Sequence, residues 1–218
     1  MEENEIIYSI RIIIVGDEKV GKTNIINTAS RNEFNENYLS SIGMDVSKLY
    51  IKINEKTFKL QLWDTSGKEK YHSITQEYYR NSACAIVVYD ITDKKSFESL
   101  KRWIDECKYY NKKNIILILV GNKKDLEQSR KITEKEGREF AEKNLINYFF
   151  ESSAKTGENI NEIFRQICEI VNKKIDGKNV DFSDDSNGIK MLKNYNDNHN
   201  DYHYGIWDDH SSSSCYIE

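Results

Sequence analysis

A segment of glycines, a lysine and a hydroxyl side chain lies between residues 16 and 23 and reads GDEKVGKT. It fits the pattern GxxxxGK[ST], in which Gly16 and Gly21 let consecutive backbone N–H groups point at one phosphate. The Lys22 ammonium is placed for the outer phosphates, and the Thr23 hydroxyl is a ligand for Mg²⁺. The predicted strand before the segment and helix after it favour this interpretation over a chance Gly/Lys turn. The predicted phosphate loop comprises Gly16, Asp17, Glu18, Lys19, Val20, Gly21, Lys22 and Thr23.

A second polar segment follows a hydrophobic strand and reads WDTSGKEKY. The Asp64 carboxylate ends the strand, where it can hold magnesium through a water molecule, and Gly67 can offer its N–H to a γ-phosphate. A strand that ends in Asp-Thr-Ser-Gly is also a good turn, so the segment alone is weaker evidence than the phosphate loop. The candidate residues are Asp64, Thr65, Ser66, Gly67 and Lys68.

Two later segments indicate which base is bound. In GNKKDL, the Asp125 carboxylate can accept hydrogen bonds from the N1–H and the amino group of guanine, a donor pair that adenine does not have. Further on, Ser153-Ala154-Lys155 offers a backbone N–H to the guanine carbonyl and a lysine stem that packs beside the base. The predicted base-binding residues are Asn122, Lys123, Lys124, Asp125, Ser153, Ala154 and Lys155.

The elements that must position these residues alternate between strand and helix. Continuous apolar strands separated by amphipathic helices predict an α/β fold with a mostly parallel sheet of six strands and helices on both faces. In such a sheet the ligand lies beyond the carboxyl ends of the strands, where all four segments fall. Strands are predicted at 6–15, 48–53, 59–64, 83–90, 114–122 and 148–151, and helices at 22–30, 73–81, 94–111, 134–143 and 159–175.

Composition excludes several classes of protein. The chain has 218 residues and a formal net charge of −4, which argues against a general nucleic-acid binder. Its four cysteines are far apart, so neither a disulfide framework nor a zinc site is expected, and a cytosolic compartment fits best. No apolar run approaches the roughly 20 residues that a membrane span needs, and the acidic first ten residues do not resemble a secretory signal.

The charge distribution divides the chain into two parts. Residues 177–218 contain three basic and eight acidic residues and no periodic apolar pattern, so we expect an acidic, flexible, disordered tail. The alternative is a short docked peptide around 202–207. Residues 1–176 then form the one folded domain.

Four segments in this order resemble the Ras superfamily of small GTPases and are most similar to its Rab branch, over about residues 1–175. By that resemblance Phe34 stacks on guanine, and Ser41 meets Mg²⁺ and the γ-phosphate where the family uses threonine. The sequence YLSSIGMDV resembles the Rab effector loop, which implies the loop residues Tyr38, Leu39, Ser40, Ser41, Ile42, Gly43, Met44, Asp45 and Val46. Trp63 and Tyr78 either extend that effector surface or pack in the core.

The resemblance implies an Mg²⁺-dependent switch that binds GTP or GDP, hydrolyses GTP and recruits trafficking effectors. It also implies an exchange factor, a GTPase-activating protein and a GDP-dissociation inhibitor as partners, and we expect a monomer. Three positions depart from the family: Lys68, and also Glu18 and Lys19, which stand where Rab proteins usually have small residues. Lys68 replaces the glutamine that orients the attacking water, and an ammonium cannot accept a hydrogen bond from that water. Glu18 places a carboxylate near the γ-phosphate, so hydrolysis is expected to be weak.

Two other activities compete with the switch. One is a scaffold that stays bound to GTP because it cannot hydrolyse it, and Lys68 is the residue that favours it. The other is a kinase that uses ATP, which Asn122 and Asp125 disfavour because they select guanine.

The residue fourth from the end is Cys215, as in a prenylation signal, although Tyr216 and Glu218 depart from the usual sequence. A single lipid holds a protein to a membrane only marginally, and the acidic tail supplies no basic patch as a second signal. We therefore expect a cytoplasmic protein in reversible contact with the cytosolic face of a membrane. The alternative is a protein that never carries a lipid.

Overall fold

The computed structural model describes residues 6–35, 45–65, 79–111, 115–193 and 206–207. Its strands are β1 (Ile6–Val15), β2 (Asp45–Ile53), β3 (Lys56–Asp64), β4 (Cys84–Asp90), β5 (Ile116–Asn122), β6 (Tyr148–Glu151), β7 (Ile189–Lys193) and β8 (Ile206–Trp207). Its helices are α1 (Lys22–Arg31), α2 (Lys94–Glu98), α3 (Leu100–Tyr110), α4 (Glu134–Lys143) and α5 (Ile160–Asp176), with 3₁₀ turns at Lys124–Ser129 and Asp185–Asn187.

The described strands form one sheet in the order β6-β5-β4-β1-β3-β2-β8, and β7 pairs with β1. Strands β3, β1, β4, β5 and β6 run parallel to one another, so their carboxyl ends lie at one edge. Strand β2 runs antiparallel to β3 through a tight turn, where Asn54 takes a positive φ of 54°. The predicted α/β class with a mostly parallel sheet is confirmed, and within the described residues the sheet has eight strands rather than the six predicted.

Two hydrophobic layers cover the faces of the sheet, as the alternation along β1 requires. Ile12 and Ile14 face a core that contains buried side chains of α1 and α5. Ile13 and Val15 face a second core that contains buried side chains of α3 and α4. Strands β4 and β5 are buried at every position because both of their faces are covered.

One predicted helix divides in two. The pattern over 94–111 predicted a single helix, but α2 and α3 meet at Ser99. There the Arg102 N–H donates to the Ser99 carbonyl at 3.1 Å, three residues back rather than four, which tightens the chain at the junction. The predicted helix at 73–81 lies outside the described residues except for its last three positions.

The C-terminal region differs most from the sequence-based expectation. Strand β7 pairs antiparallel with Ile6–Ile10, while β4 pairs with Ile12–Val15, so β7 and β4 share one edge of β1. Residues before β7 add to the core, since the ring of Phe182 lies 5.9 Å from that of Tyr8. The folded region therefore extends to Lys193 rather than ending at 176. That the chain beyond Lys193 is flexible stays a prediction, apart from β8, which pairs with Tyr50 and Ile51.

Gly188 sets the position of β7. Its φ is +72°, and its carbonyl accepts a hydrogen bond from the Arg11 N–H at 2.9 Å. A Cβ atom at this position would lie 2.2 Å from the backbone nitrogen of Ala83. Only glycine tolerates both the left-handed backbone and this close approach.

Within the described residues, no helix combines the length and the apolar character needed to cross a membrane.

Candidate functional site

The phosphate loop connects β1 to α1 and adopts the curled backbone that its glycines predict. Gly16 and Gly21 have φ angles of 144° and 99°, and Lys19 also takes a positive φ, of 66°. A Cβ atom on Gly21 would lie 2.3 Å from the side-chain nitrogen of Asn122. Gly21 is thus required both by its backbone angle and by the approach of β5.

Lys22 begins α1 at the end of this loop and is 5% exposed. Its Nζ donates to the carbonyls of Gly16 at 2.9 Å and Asp17 at 2.8 Å. Burial lowers the pKa of the Lys22 ammonium to about 8, and the negative charges of Asp64, Asp17 and Glu18 oppose that shift. A phosphate beside this ammonium would add a further negative charge, which would stabilise the protonated form and raise the pKa of Lys22.

The carboxyl end of β3 brings Asp64 to the start of α1. The Thr23 hydroxyl donates to Asp64 Oδ2 at 2.6 Å, and Asp64 is 3% exposed. Hydroxyl and carboxylate oxygens are the donors that Mg²⁺ prefers, so this pair fits the ion predicted here. The next residue, Thr65, donates from its hydroxyl to the Ile14 carbonyl at 2.8 Å and so attaches the chain after β3 to β1.

Asn122 joins three parts of the site. Its Nδ2 donates to the Val20 carbonyl at 2.8 Å, and its Oδ1 accepts from the Ala154 N–H at 3.2 Å. The side chain is 1% exposed. Asn122 therefore fixes the distance between the phosphate loop and the segment after β6.

The base-binding residues surround the start of the 3₁₀ turn after β5. Asp125 is exposed, and its Oδ1 accepts from the Ser153 hydroxyl at 2.6 Å. Phe34 is 38% exposed, and Lys155 Nζ lies 6.0 Å from the centre of its ring. These positions leave the Asp125 carboxylate and the two predicted flanking groups accessible at one edge of the sheet.

The two other lysines of this segment pair with carboxylates. Lys123 Nζ lies 2.6 Å from Asp90 Oδ2, and Lys124 pairs with Glu158. These contacts place both lysines as supports of the turn that carries Asp125.

Further supporting residues carried no signal in the sequence. Thr28, on α1, donates from its hydroxyl to the Ala154 carbonyl at 2.7 Å. Arg130 donates to both oxygens of Glu151, at 2.6 and 2.8 Å, and so holds the end of β6. Their partners are 126 and 21 residues away along the chain, so no local pattern could reveal them.

Two predicted segments lie wholly or partly outside the described residues. These are the effector-loop residues Tyr38, Leu39, Ser40, Ser41, Ile42, Gly43 and Met44, and the residues Ser66, Gly67, Lys68 and Tyr78. Of the effector loop, Asp45 and Val46 begin β2 opposite Asp64 and Trp63. Trp63 is half-buried and packs against the second core, and the Arg11 guanidinium lies 3.9 Å from the centre of its ring.

The family model for the Ras family matches residues 11–173, which contain every described residue of this site. The chain belongs to the Ras family. Ras-related protein Rab-2B of Dictyostelium discoideum is 44% identical over 166 residues, which cover 76% of this chain and 82% of the relative. Rab-11C of the same organism is 40% identical over 185 residues, covering 85% and 82%. The GTP-binding protein ypt3 of Schizosaccharomyces pombe is 36% identical over 184 residues, covering 84% and 86%.

These relatives confirm the predicted Rab-type small GTPase and its Ras-type phosphate-loop fold. They do not support the kinase interpretation. The individual roles of the site residues stay predictions, which the geometry above supports where the residues are described.

Within this small GTPase, Lys19 holds a left-handed backbone that favours glycine. We expect Lys19→Gly to raise the free energy of unfolding by up to about 1 kcal/mol. A side chain in this left-handed conformation destabilises the folded state by about 1–2 kcal/mol, and glycine removes that strain. Part of the gain is offset because glycine loses more backbone entropy on folding. Urea unfolding in excess GDP measures the change. The matched control is Lys178→Gly, since Lys178 has a φ of 56° and lies outside the nucleotide site.

Both glycine variants should gain similar stability. A gain for Lys178→Gly without one for Lys19→Gly would contradict the prediction. It would mean that contacts in the phosphate loop, rather than the intrinsic backbone preference, decide the conformation at Lys19.

Proposed function

We propose that this small GTPase is a Rab-like switch that alternates between GTP and GDP with Mg²⁺, recruits effectors in vesicle traffic and hydrolyses GTP slowly. The observation that carries the proposal is the connected set of polar residues at one edge of the sheet. Asn122 joins the phosphate loop to the segment of Ala154, and Thr23 joins it to Asp64. In this arrangement a guanine fits beside Asp125 and Ala154, the phosphates fit in the phosphate loop, and a divalent ion fits at Thr23 and Asp64.

The chain's residues hold the nucleotide in a defined orientation. Asp125 accepts from the guanine N1–H and amino group, and the loop N–H groups and Lys22 hold the phosphates. Mg²⁺, when bound, neutralises charge on the outer phosphates. Asp64 and Thr23 supply the oxygens that face it, and Ser41 is proposed to supply a third.

Slow hydrolysis is proposed because of Lys68. The Lys68 ammonium has three hydrogen-bond donors and no acceptor, so it cannot accept a hydrogen bond from the attacking water. Its positive charge attracts the phosphate equally before and during the reaction, which gives no acceleration. The exposed Glu18 carboxylate adds repulsion near the γ-phosphate.

The nucleotide carried by the freshly purified chain, and its decay in a single turnover with magnesium, test this function. We expect a guanine nucleotide, and we expect Lys68→Gln to hydrolyse GTP about tenfold faster or more because glutamine can orient the water. Lys70→Gln makes the same chemical change two residues away and should leave the rate unaltered. A wild-type rate equal to that of Lys68→Gln would contradict slow hydrolysis, and absence of any guanine nucleotide would contradict the switch itself.

We also propose that Cys215 carries a single prenyl group and gives reversible contact with the cytosolic face of a membrane. The other three cysteines, Cys84, Cys107 and Cys168, are buried, and burial raises the pKa of each thiol. They are therefore poor sites for modification. The intact mass of the full chain from eukaryotic cells tests this proposal. We further propose that the protein is a monomer. Its proposed partners are an exchange factor, a GTPase-activating protein, a GDP-dissociation inhibitor and trafficking effectors.

A further inference from the structure

The side chain of Asp17 points away from the phosphate loop that contains it and toward α3. Its Oδ1 accepts a hydrogen bond from the indole N–H of Trp103 at 2.8 Å and another from the guanidinium of Arg102 at 3.1 Å. The Arg102 guanidinium also lies over the Trp103 ring, 4.7 Å from its centre. One carboxylate oxygen is thus held by two donors from adjacent residues of one helix.

This contact is shielded from water on the helix side. Trp103 is 6% exposed and belongs to the core between the sheet and α3, while the Asp17 side chain is 26% exposed. A rigid indole on a packed helix is a fixed donor. Hydrogen bonds to a charged acceptor are stronger than those between neutral groups.

The backbone of the same residue holds the phosphate-binding lysine. The Asp17 carbonyl is one of the two acceptors of Lys22 Nζ. If the Asp17 side chain were released from α3, its peptide group could rotate and Lys22 would lose a partner inside a buried loop. The position of the ammonium therefore depends on Trp103 and Arg102, through Asp17.

Helix α3 also contacts the chain that leads into β4. Glu106, one turn after Arg102, accepts a hydrogen bond at 3.2 Å from the hydroxyl of Tyr79, which is 1% exposed. Tyr79 is the first described residue after 66–78, the segment that contains Lys68. One helix thus contacts both the phosphate loop and the residue that follows the segment of Lys68.

We propose that Trp103 and Arg102 are positioning residues that hold the phosphate loop in its nucleotide-binding form and thereby slow nucleotide release. The inference rests on the proposed binding of guanine nucleotides. It assigns to α3 a part in retention of the ligand, through the contacts with Asp17. The substitution Trp103→Phe removes the indole donor and keeps an aromatic ring in the core.

The test is the rate at which the full chain releases fluorescently labelled GDP into excess unlabelled GDP with magnesium. Trp103→Phe should release GDP about tenfold faster or more, which corresponds to the loss of one hydrogen bond to a charged group. Asp17→Ala removes the contacts with both Trp103 and Arg102 and should release GDP at least as fast. The double variant should be no faster than Asp17→Ala alone, because Trp103→Phe then has no contact with Asp17 left to break.

The matched control is Ile104→Val, which removes one methyl group from the adjacent, fully buried position of α3. It weakens the packing of the same core and should leave the GDP release rate unchanged. Equal acceleration by Ile104→Val, or additive effects of Trp103→Phe and Asp17→Ala, would overturn the positioning role. A wild-type chain without guanine nucleotide would contradict the proposed function instead, so the two failures are distinguishable.

Discussion

Replacing Asp125 with asparagine should lower the affinity for GDP by about a thousandfold or more and create affinity for xanthosine diphosphate. In the proposed site, guanine presents two donors to Asp125, its N1–H and its amino group. A carboxylate accepts both, whereas the asparagine NH₂ group would face the amino group as donor against donor. A site built to hydrogen-bond a base rejects a mismatched partner by about four orders of magnitude. In xanthine a carbonyl replaces the amino group, so the asparagine donor regains a partner.

The structure supports a specific effect at this position. Asp125 is exposed at the start of the 3₁₀ turn, and the Ser153 hydroxyl holds one of its oxygens, so an asparagine carbonyl can keep that contact. Competition between GDP and xanthosine diphosphate for the purified chain measures the change. Glu127→Gln removes a carboxylate charge two residues along the same turn and should not alter base preference. An Asp125→Asn chain that still prefers GDP would contradict the assigned base-binding role.

Substituting Gly188 with alanine should displace β7 from the sheet or destabilise the whole domain by more than about 3 kcal/mol. The new Cβ would lie 2.2 Å from the Ala83 nitrogen and 2.7 Å from the Asn81 carbonyl oxygen. Both are backbone atoms of the chain entering β4 and cannot move aside cheaply. The left-handed backbone adds about 1–2 kcal/mol of strain for any side chain.

Hydrogen exchange at the Arg11 amide, together with unfolding in urea, separates the two outcomes. If β7 detaches, the Arg11 amide loses its acceptor and exchanges faster while the rest of the sheet stays protected. If the domain is destabilised as a unit, protection falls throughout.

Gly157→Ala is the matched control for Gly188→Ala. Gly157 has a φ of +81°, yet nothing lies within 4 Å of the position that its Cβ would take. Gly157→Ala therefore introduces the backbone strain without a steric clash, and it should lower the free energy of unfolding by about 1–2 kcal/mol. An equal effect of the two substitutions would show that β7 is not held by close packing at Gly188.

Much of the fold was predictable because its signals are local. The predicted strand 6–15 coincides with β1. The spacing of the glycines before Lys22 predicts the phosphate-binding loop that follows this strand. Alternating apolar strands and amphipathic helices also determine that the sheet is mostly parallel. This in turn predicts that Thr23, Asp64 and Asp125 lie at one edge, as the structure shows for their positions.

What the sequence did not reveal depends on contacts between distant segments. Strand β7 is five residues long within an acidic region, too short for a periodic pattern to distinguish it from a loop. The contact of Asp17 with Trp103 joins residues 86 positions apart and requires the approach of α3 to the phosphate loop. Asn122 matched a base-binding motif, but only the packed structure shows that its side chain connects the phosphate loop to Ala154.

The placement of β7 beside β1 bears on how the protein avoids association with itself. The sequence IIYSIRIIIV contains six isoleucines and one charge, a composition typical of strands that add to the edges of other sheets. Along β1, strand β4 pairs with Ile12–Val15 but not with Ile6–Ile10. Without β7, the backbone groups of Ile6–Ile10 would therefore form an open template on that edge. Strand β7 thus covers this edge of β1. A chain shortened to residues 1–176 would lack β7 and would expose an aggregation-prone strand.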